Sequence, residues 1–493
     1  MVDSRLRGSD VVVRPMNYPK AKRSGKLLTV PMAKGSNTME EKNFILLVNP
    51  WIHDFAAYDL WSKPLGLLIV AAGLRKAGYE VSLIDCLDVY LYHPDMLEME
   101  TIKPPKRRQY GTGKFWKQAI EKPPALEHID RTYSRYGIHP EVFKNELIRY
   151  RCPAAILITS LMTYWYPGVF EAIRIAKEVY PEVPIILGGI YARLCVEHAR
   201  AHSGAHYVLQ SSDMPHLLGL LKDLGIEPNP RRSSPALHPY PAFDLIRKPD
   251  YVCILSSTGC PYRCRYCASH YLFPRFWQRD PEEVFQEISY WHQKRGVKDF
   301  AFYDDALLVN PRQHFIPLME KVLASGLGVR FHTPNAIHIR EVTAEIAAIM
   351  KAAGFITLRI GLETADFSAR HNLDNKLAQG EFERGVRHLF DAGFHSSQIG
   401  AYILVGLPGQ SVESVSSTID FVAENRVMPY LAEYSPLPHT QMWAEAVSAS
   451  QYDIEKEPLY HNNTLLPCWD ESERARMDEL KQKVKEAREN VRG

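Results

Sequence analysis

Cys260-Pro261-Tyr262-Arg263-Cys264-Arg265-Tyr266-Cys267 puts three thiols on one short stretch with no fourth ligand close by. With eight cysteines in 493 residues, three at C-x3-C-x2-C spacing are not what scatter produces. Soft thiolate ligands suit zinc or an iron-sulfur cluster. Structural zinc normally closes its tetrahedron with four protein ligands. Three thiolates on a four-iron cube leave one iron open, and an open iron is where chemistry can occur.

Outward from this stretch, Val252 to Ser256 reads as a strand that delivers Cys260 onto the loop beyond it. Strand signals recur at Asp299 to Tyr303, Val329 to Thr333, Thr357 to Ile360, Gln398 to Val405 and Pro429 to Tyr434, with helical patterns between them. The alternation predicts a partial (β/α)6 barrel over residues 251–440. Sites in such barrels collect at the carboxyl ends of the strands, where the sequence sets Asp304-Asp305, Pro334-Asn335, Glu363 and Gly406-Leu407-Pro408-Gly409.

Ahead of the barrel, residues 43–230 alternate in the same way. Strands are expected at Phe44 to Asn49, Val81 to Asp85, Ala155 to Thr159, Ile185 to Leu187 and Tyr207 to Leu209, and helices at Leu65 to Ala77, Pro167 to Val179 and Tyr191 to Ala201. This predicts an α/β, doubly wound parallel sheet whose ligand lies beyond the strand ends, at Asn49-Pro50, Ser160 to Thr163 and Gly188-Gly189. Residues 87–151 are too long for an ordinary connection and read as an insertion, either a decoration or a cap over the site. Its Tyr110-Gly111-Thr112-Gly113-Lys114 lacks the spacing of a phosphate loop. Residues 1–42 read as a disordered tail, 231–250 as a linker and 441–493 as a helical extension whose Met477, Leu480 and Val484 form a docking stripe.

The cysteine spacing, with Tyr266 before the last thiol, resembles the signature of the radical S-adenosylmethionine (SAM) superfamily. The resemblance implies a [4Fe-4S] cluster on Cys260, Cys264 and Cys267 that binds SAM and cleaves it reductively to a 5′-deoxyadenosyl radical. It further implies that Asp304, Asp305 and Glu363 lie near SAM, that Tyr266 touches adenine, and that the turn with Gly406 and Pro408 packs on the adenosyl group. Pro64-Leu65-Gly66-Leu67-Leu68, Ala77-Gly78-Tyr79-Glu80-Val81 and Ile186-Leu187-Gly188-Gly189 resemble the cobalamin-binding domain that precedes many radical SAM barrels. Ser160, Thr163, Gly188 and Gly189 then match cobalamin contacts. There is no Asp-x-His-x-x-Gly, so no histidine is assigned below cobalt, and Gln210-Ser211-Ser212-Asp213 replaces the Gly-Glu-Gly turn of relatives. Methylation of an unactivated carbon is the implied reaction; a radical rearrangement or oxidation without cobalamin, and a non-catalytic cofactor carrier, are the alternatives.

Composition fits an enzyme of this kind. Apolar residues make up 46% and charged residues 24%, and the net charge is +2; with no basic stripe, nucleic acid is not an expected partner. No apolar run approaches the roughly 18 residues of a membrane span. A cytoplasmic protein is expected, served by an external one-electron donor such as flavodoxin or ferredoxin and acting on a small molecule or peptide. Lesser candidates are His270 beside the cysteines, Tyr303 and Tyr402 as inward phenols, and the stray Cys468.

Overall fold

The structure is a computed structural model, and it describes residues 43–91, 105–211, 213–230, 239–368, 370 and 373–492. The expected tail, residues 231–238 of the linker and Ser212 lie outside the described residues.

The first sheet has five parallel strands, β1 (Phe44–Asn49), β2 (Glu80–Asp85), β3 (Ala155–Ile158), β4 (Ile185–Leu187) and β5 (Tyr207–Val208), in the order β5-β4-β3-β1-β2. β1 and β3 are buried at every residue. Helices cover both faces, so Phe44-Ile45-Leu46-Leu47-Val48 runs apolar without alternation. The helix Leu65–Ala77 stops at Gly78, whose φ of 100° is the left-handed cap that glycine permits. The helix expected over Tyr191 to Ala201 is instead two pieces, Ile190–Leu194 and Val196–His202. Cys195, at φ −124° and ψ 49°, leaves the helical region between them.

The second sheet holds β6 (Val252–Ile254), β7 (Asp299–Phe302), β8 (Arg330–His332), β9 (Phe355–Glu363), β10 (Ile399–Val405) and β11 (Met428–Glu433). All neighbours are parallel and in chain order, and β6 does not pair with β11. This is the expected open barrel. Side chains alternate: Leu358, Ile360, Ile399, Ala401 and Ile403 pack into the core beneath the helices, so Arg359, Gly400 and Tyr402 lie on the concave side.

Sequence reasoning missed how the insertion is used. Its strands Lys117–Ala119 and Ser134–Tyr136 extend Ile52–Asp54 into a small antiparallel sheet, and Gly113–Lys114 pairs with Tyr58–Asp59. Arg107 binds Asp59 at 2.6 Å, and Tyr110 and Trp61 bring their rings to 4.8 and 4.1 Å from His332 on β8. The Tyr110–Lys114 stretch therefore reaches onto the barrel's concave side.

Described parts of the linker are anchored: Phe243 is fully buried in the barrel core, and the Ala242 N–H donates to the Leu68 carbonyl at 3.0 Å. The helix Met477–Arg492 buries Met477, Leu480 and Val484 against the barrel core, as the stripe expects. Among the described residues no helix is long and apolar enough to cross a membrane.

Candidate active site

The cysteine loop begins where β6 ends. Ser257–Thr258 pairs antiparallel with Trp277–Gln278, which fixes the base of the loop. Gly259 follows at φ 75°, and a Cβ there would lie 2.7 Å from the Arg275 carbonyl oxygen, so only glycine turns the chain toward Cys260. Further on, the Arg265 N–H donates to the Leu373 carbonyl at 3.0 Å, and the Arg265 carbonyl accepts from the Met442 N–H at 2.9 Å. The loop is thus gripped by the segment after β9 and by the C-terminal extension.

The donor set fits a cluster. Burial pushes the thiols up, to about 11 at Cys260 and about 12 at Cys264, and raises Cys267 as well. Cys267 is a charge neighbour of both other thiols. Such thiols become thiolates only when a metal or cation compensates the charge. Among the described residues no three His, Cys, Asp or Glu groups converge on the position of a single metal ion. A four-iron cube, in which each thiolate holds a different iron, asks for wider spacing than one ion does. The Ser269 N–H reaches Cys267 Sγ at 3.4 Å, a contact that strengthens on a thiolate.

Lys376, which sequence reasoning missed, is the cation among the thiols. It is a charge neighbour of all three, pairs with Glu363 through Nζ and Oε1 at 2.9 Å, and stands 5.4 Å from the Tyr266 ring centroid. Burial opposes its charge, but Glu363, Cys264 and Asp374 together hold its pKa above the ordinary lysine value. Its backbone is fixed from both sides, by Asp374 accepting from the Lys376 N–H at 3.0 Å and by Arg340 donating to the Lys376 carbonyl at 3.4 Å. Nothing in the sequence around Lys376 announces a site; only the fold of residues 373–380 back over the cysteines brings it there.

Glu363 ends β9 at φ 66°, a conformation unusual for a residue with a side chain. The register against β10 shifts between Gly361 and Glu363, and a Cβ on Gly361 would lie 2.9 Å from Glu363 Oε1. The Gly361-Leu362-Glu363 run therefore aims a strained carboxylate across the strand end, as expected of a functional position. Tyr266 is half-buried beside it, and its buried hydroxyl has no hydrogen-bond partner among the described residues. An orphaned polar group facing Glu363 and the thiols suits a polar ligand such as SAM.

Two expectations change. Asp304 does not face the site: it is 2% exposed and accepts from Ser256 N at 3.1 Å, Ser256 Oγ at 2.7 Å and Ser257 Oγ at 2.6 Å. Its carboxylate ties the end of β6 and so positions the cysteine loop. Asp305 alone of the pair is turned toward Cys260 and Cys267, with Ser269 Oγ donating to it. The second change is at the turn after β10, where the N–H groups of Gly406 and Leu407 both donate to Gln410 Oε1, at 2.9 and 3.2 Å. They are not free for an adenine edge; Leu407 offers its side chain in the apolar wall that also contains Tyr266, Leu404 and Cys468, and Pro408 is half-buried beside it. Cys468 is a buried thiol in that wall. Tyr303 and Tyr402 serve structure, the first accepting from Lys63 N at 3.2 Å and the second donating to the Pro334 carbonyl at 3.0 Å. His270 is half-buried on the short helix Ser269–Leu272 that follows Cys267.

The strand ends of the first sheet face this loop. Ser160 Oγ donates to the Gly188 carbonyl at 2.7 Å and accepts from Ala192 N at 3.2 Å, while Thr163 Oγ1 is 2.9 Å from His461 Nδ1. Both hydroxyls are committed to shaping the turns. Gly189, at φ 97°, approaches the Ser160 backbone so closely that a Cβ would lie 2.2 Å from its oxygen. A Cβ on Gly188 would meet nothing within 4 Å, and Leu161 is 47% exposed at the end of β3. This is an open, apolar ledge of the kind a flat macrocycle can cover. The nearby histidines are engaged: His53 with Glu171 at 3.1 Å, His461 with Thr163 and the Ile454 carbonyl. From the turn after β4, Arg193 donates to the carbonyl of Leu272, in the helix that follows Cys267, and lies 5.6 Å from the Phe273 ring. The ledge and the cysteine loop are neighbours.

Comparison with known proteins agrees with this arrangement. Residues 254–422 match the family model of the radical SAM superfamily. An uncharacterised methyltransferase of Pyrococcus horikoshii is 23% identical, the match covering 60% of this chain and 70% of that protein. The bacteriochlorophyllide d C-12(1)-methyltransferase of Chlorobaculum tepidum is 26% identical, over 42% of this chain and 45% of the relative, so the chain spans less than half of its length. Among solved structures, the radical SAM methyltransferase TsrM of Kitasatospora setae, with cobalamin and a [4Fe-4S] cluster bound, superposes with a TM-score of 0.60 at 15% identity, covering 82% of this chain and 78% of TsrM.

Proposed function

We propose, from the premise that residues 254–422 form a domain of the radical SAM superfamily, that the chain is a cobalamin-dependent enzyme methylating an unactivated carbon of a small molecule or peptide. The observation that carries this reading is the meeting of two strand-end faces, made by Arg193 of the first domain and Leu272 of the cysteine helix. Bound there, the [4Fe-4S] cluster supplies one electron to SAM and cobalamin supplies a methyl group. Cys260, Cys264 and Cys267 hold the cluster, Asp305 and Glu363 offer carboxylates to the SAM ammonium, and Tyr266 with Leu407 walls the adenine. Ser160, Gly188 and Gly189 shape the ledge for the corrin, and Thr163 ties it to His461. Trp61 and Tyr110, carried onto the concave face by the insertion, keep water from that part of the barrel. We further infer that the donor is a low-potential protein such as flavodoxin or ferredoxin and that the chain works in the reducing cytoplasm.

The test is anaerobic reconstitution with iron, sulfide and cobalamin, followed by SAM and dithionite. Iron and corrin should both be retained, and 5′-deoxyadenosine should form. Retention of iron without corrin would move the reading to a radical rearrangement or oxidation, and a loaded protein that leaves SAM intact would make it a carrier. Alanine at any of the three cysteines should abolish iron retention and SAM cleavage together.

A further inference from the structure

Arg359 on β9 and Arg488 on the C-terminal helix converge on one ring, that of Tyr430 on β11, with guanidinium carbons 4.4 and 4.0 Å from its centroid. Arg359 also points Nη2 at the Tyr430 hydroxyl, 3.4 Å away, and donates through Nη1 to the Leu358 carbonyl at 2.9 Å. Arg488 Nε donates to the Pro429 carbonyl at 2.7 Å. Among the described residues neither guanidinium has a carboxylate at ion-pair distance. That is unusual for two half-buried arginines side by side, because each raises the cost of the other's charge. Burial, opposed by Tyr430 and reinforced by Arg359 and Arg492, lowers the Arg488 pKa from its ordinary value. Asp299, on β7, is already shared by Arg330 and His332.

The surroundings are shaped for the pair. Arg359 lies opposite Gly400 in register, and Tyr402 opposite Tyr430. A Cβ on Gly400 would fall 2.5 Å from the Tyr430 ring and 3.3 Å from Arg359 Nη1, so glycine at this position is what admits both groups. The Tyr402 ring meets Tyr430 edge-on at 6.2 Å. All of this is on the concave side of the barrel. Along β9, Arg359 precedes Glu363 by four residues, which at a strand rise of about 3.3 Å per residue is about 13 Å from the cysteine end.

We infer that Arg359, Arg488 and Tyr430 form a binding site for an oxyanion of the substrate, a carboxylate or a phosphoryl group, on the concave side of the barrel midway along β9. The inference rests on the reading that the barrel is the substrate chamber, and it deepens it: the substrate is an anionic organic molecule whose charged group is held by a residue about 13 Å along β9 from Glu363. Guanidinium forks match the geometry of both oxyanions, and a phenol beside them adds a donor.

The experiment is calorimetric titration of the reconstituted protein, at constant ionic strength and without SAM, with inorganic phosphate and separately with succinate. At least one should bind saturably. Arg359→Gln and Arg488→Gln should each weaken that binding about tenfold or more, since a charge-assisted contact is lost. Arg359→Lys, which keeps the charge and spares the fold, should weaken it less, and Arg476→Gln, on an exposed arginine paired with Glu413, should bind as the wild type does. Binding of phosphate alone assigns a phosphoryl group and of succinate alone a carboxylate. Failure of both anions to bind, equal binding by the two glutamine variants and wild type, or an equal loss in Arg476→Gln would each overturn the inference. SAM cleavage by the same preparation is read separately, so a failed anion site and a failed radical SAM reading are told apart.

Discussion

At the scale of single residues, Lys376 carries the most consequence beyond the cysteines. A cation among three thiols, one buried and two half-buried, stabilises their anionic forms, and it makes an added electron on a cluster less unfavourable. Lys376→Met should therefore lower the cluster's reduction potential by roughly 50–100 mV, the electrical equivalent of the 1–2 kcal/mol that one charge contributes at such range. Lys376→Arg should recover most of it. Spectroelectrochemical titration of the reconstituted proteins checks this, and equal potentials in wild type and Lys376→Met would show that the cation acts only on Glu363. The carboxylate pair illustrates how much two adjacent residues can differ. Asp304 is sealed against Ser256 and Ser257, whereas Asp305 is turned toward Cys260 and Cys267, a distinction that the sequence Asp-Asp does not label.

At the scale of elements, the site depends on loops whose shapes are set by one or two positions. Gly259→Ala places a Cβ against the Arg275 carbonyl in a left-handed conformation; we expect a cost of about 2 kcal/mol or more and a reconstituted iron content well below that of wild type, measured beside circular dichroism to show that the sheets persist. The C-terminal extension is held to the first domain through Asn462 to Asp54 at 2.9 Å and His461 to Thr163 at 2.9 Å. Burial lowers the His461 pKa to about 4, only partly offset by the Ile454 carbonyl. Its folded value lies below its unfolded value near 6.5, so the stability it contributes is present above pH 6.5 and is lost as pH falls toward 4. The melting temperature of wild type should thus drop more steeply between pH 6.5 and 4 than that of His461→Gln. Parallel pH profiles would mean that the imidazole titrates alike in the folded and the unfolded chain.

At the scale of the whole molecule, function depends on how two α/β units face each other. The contact through Arg193 joins the turn after β4 to the cysteine helix, and the extension and the insertion tie the same units together at Asn462 and Tyr110. Arg193→Ala should leave iron content intact but reduce retained corrin severalfold after gel filtration, because the ledge and the loop no longer hold a common gap. Loss of iron and corrin in step would mean that Arg193 supports the cysteine helix alone.

The strands of both sheets, the cysteine loop and the glutamate that ends β9 were legible in the linear order of residues. These are local matters: unbroken apolar runs such as Phe44 to Val48 suit strands covered on both faces, and three thiols at this spacing fall on one loop wherever the chain goes next. Tertiary structure alone decided which member of Asp304-Asp305 faces the site, where Lys376 goes, that Gln410 takes the N–H groups after Gly406, and that Arg359 and Arg488 share the ring of Tyr430. In each case the partners are brought together by a turn of the chain or by the packing of separate elements. No periodicity or spacing in a linear sequence encodes such meetings, because they are set by the free energy of packing the whole chain.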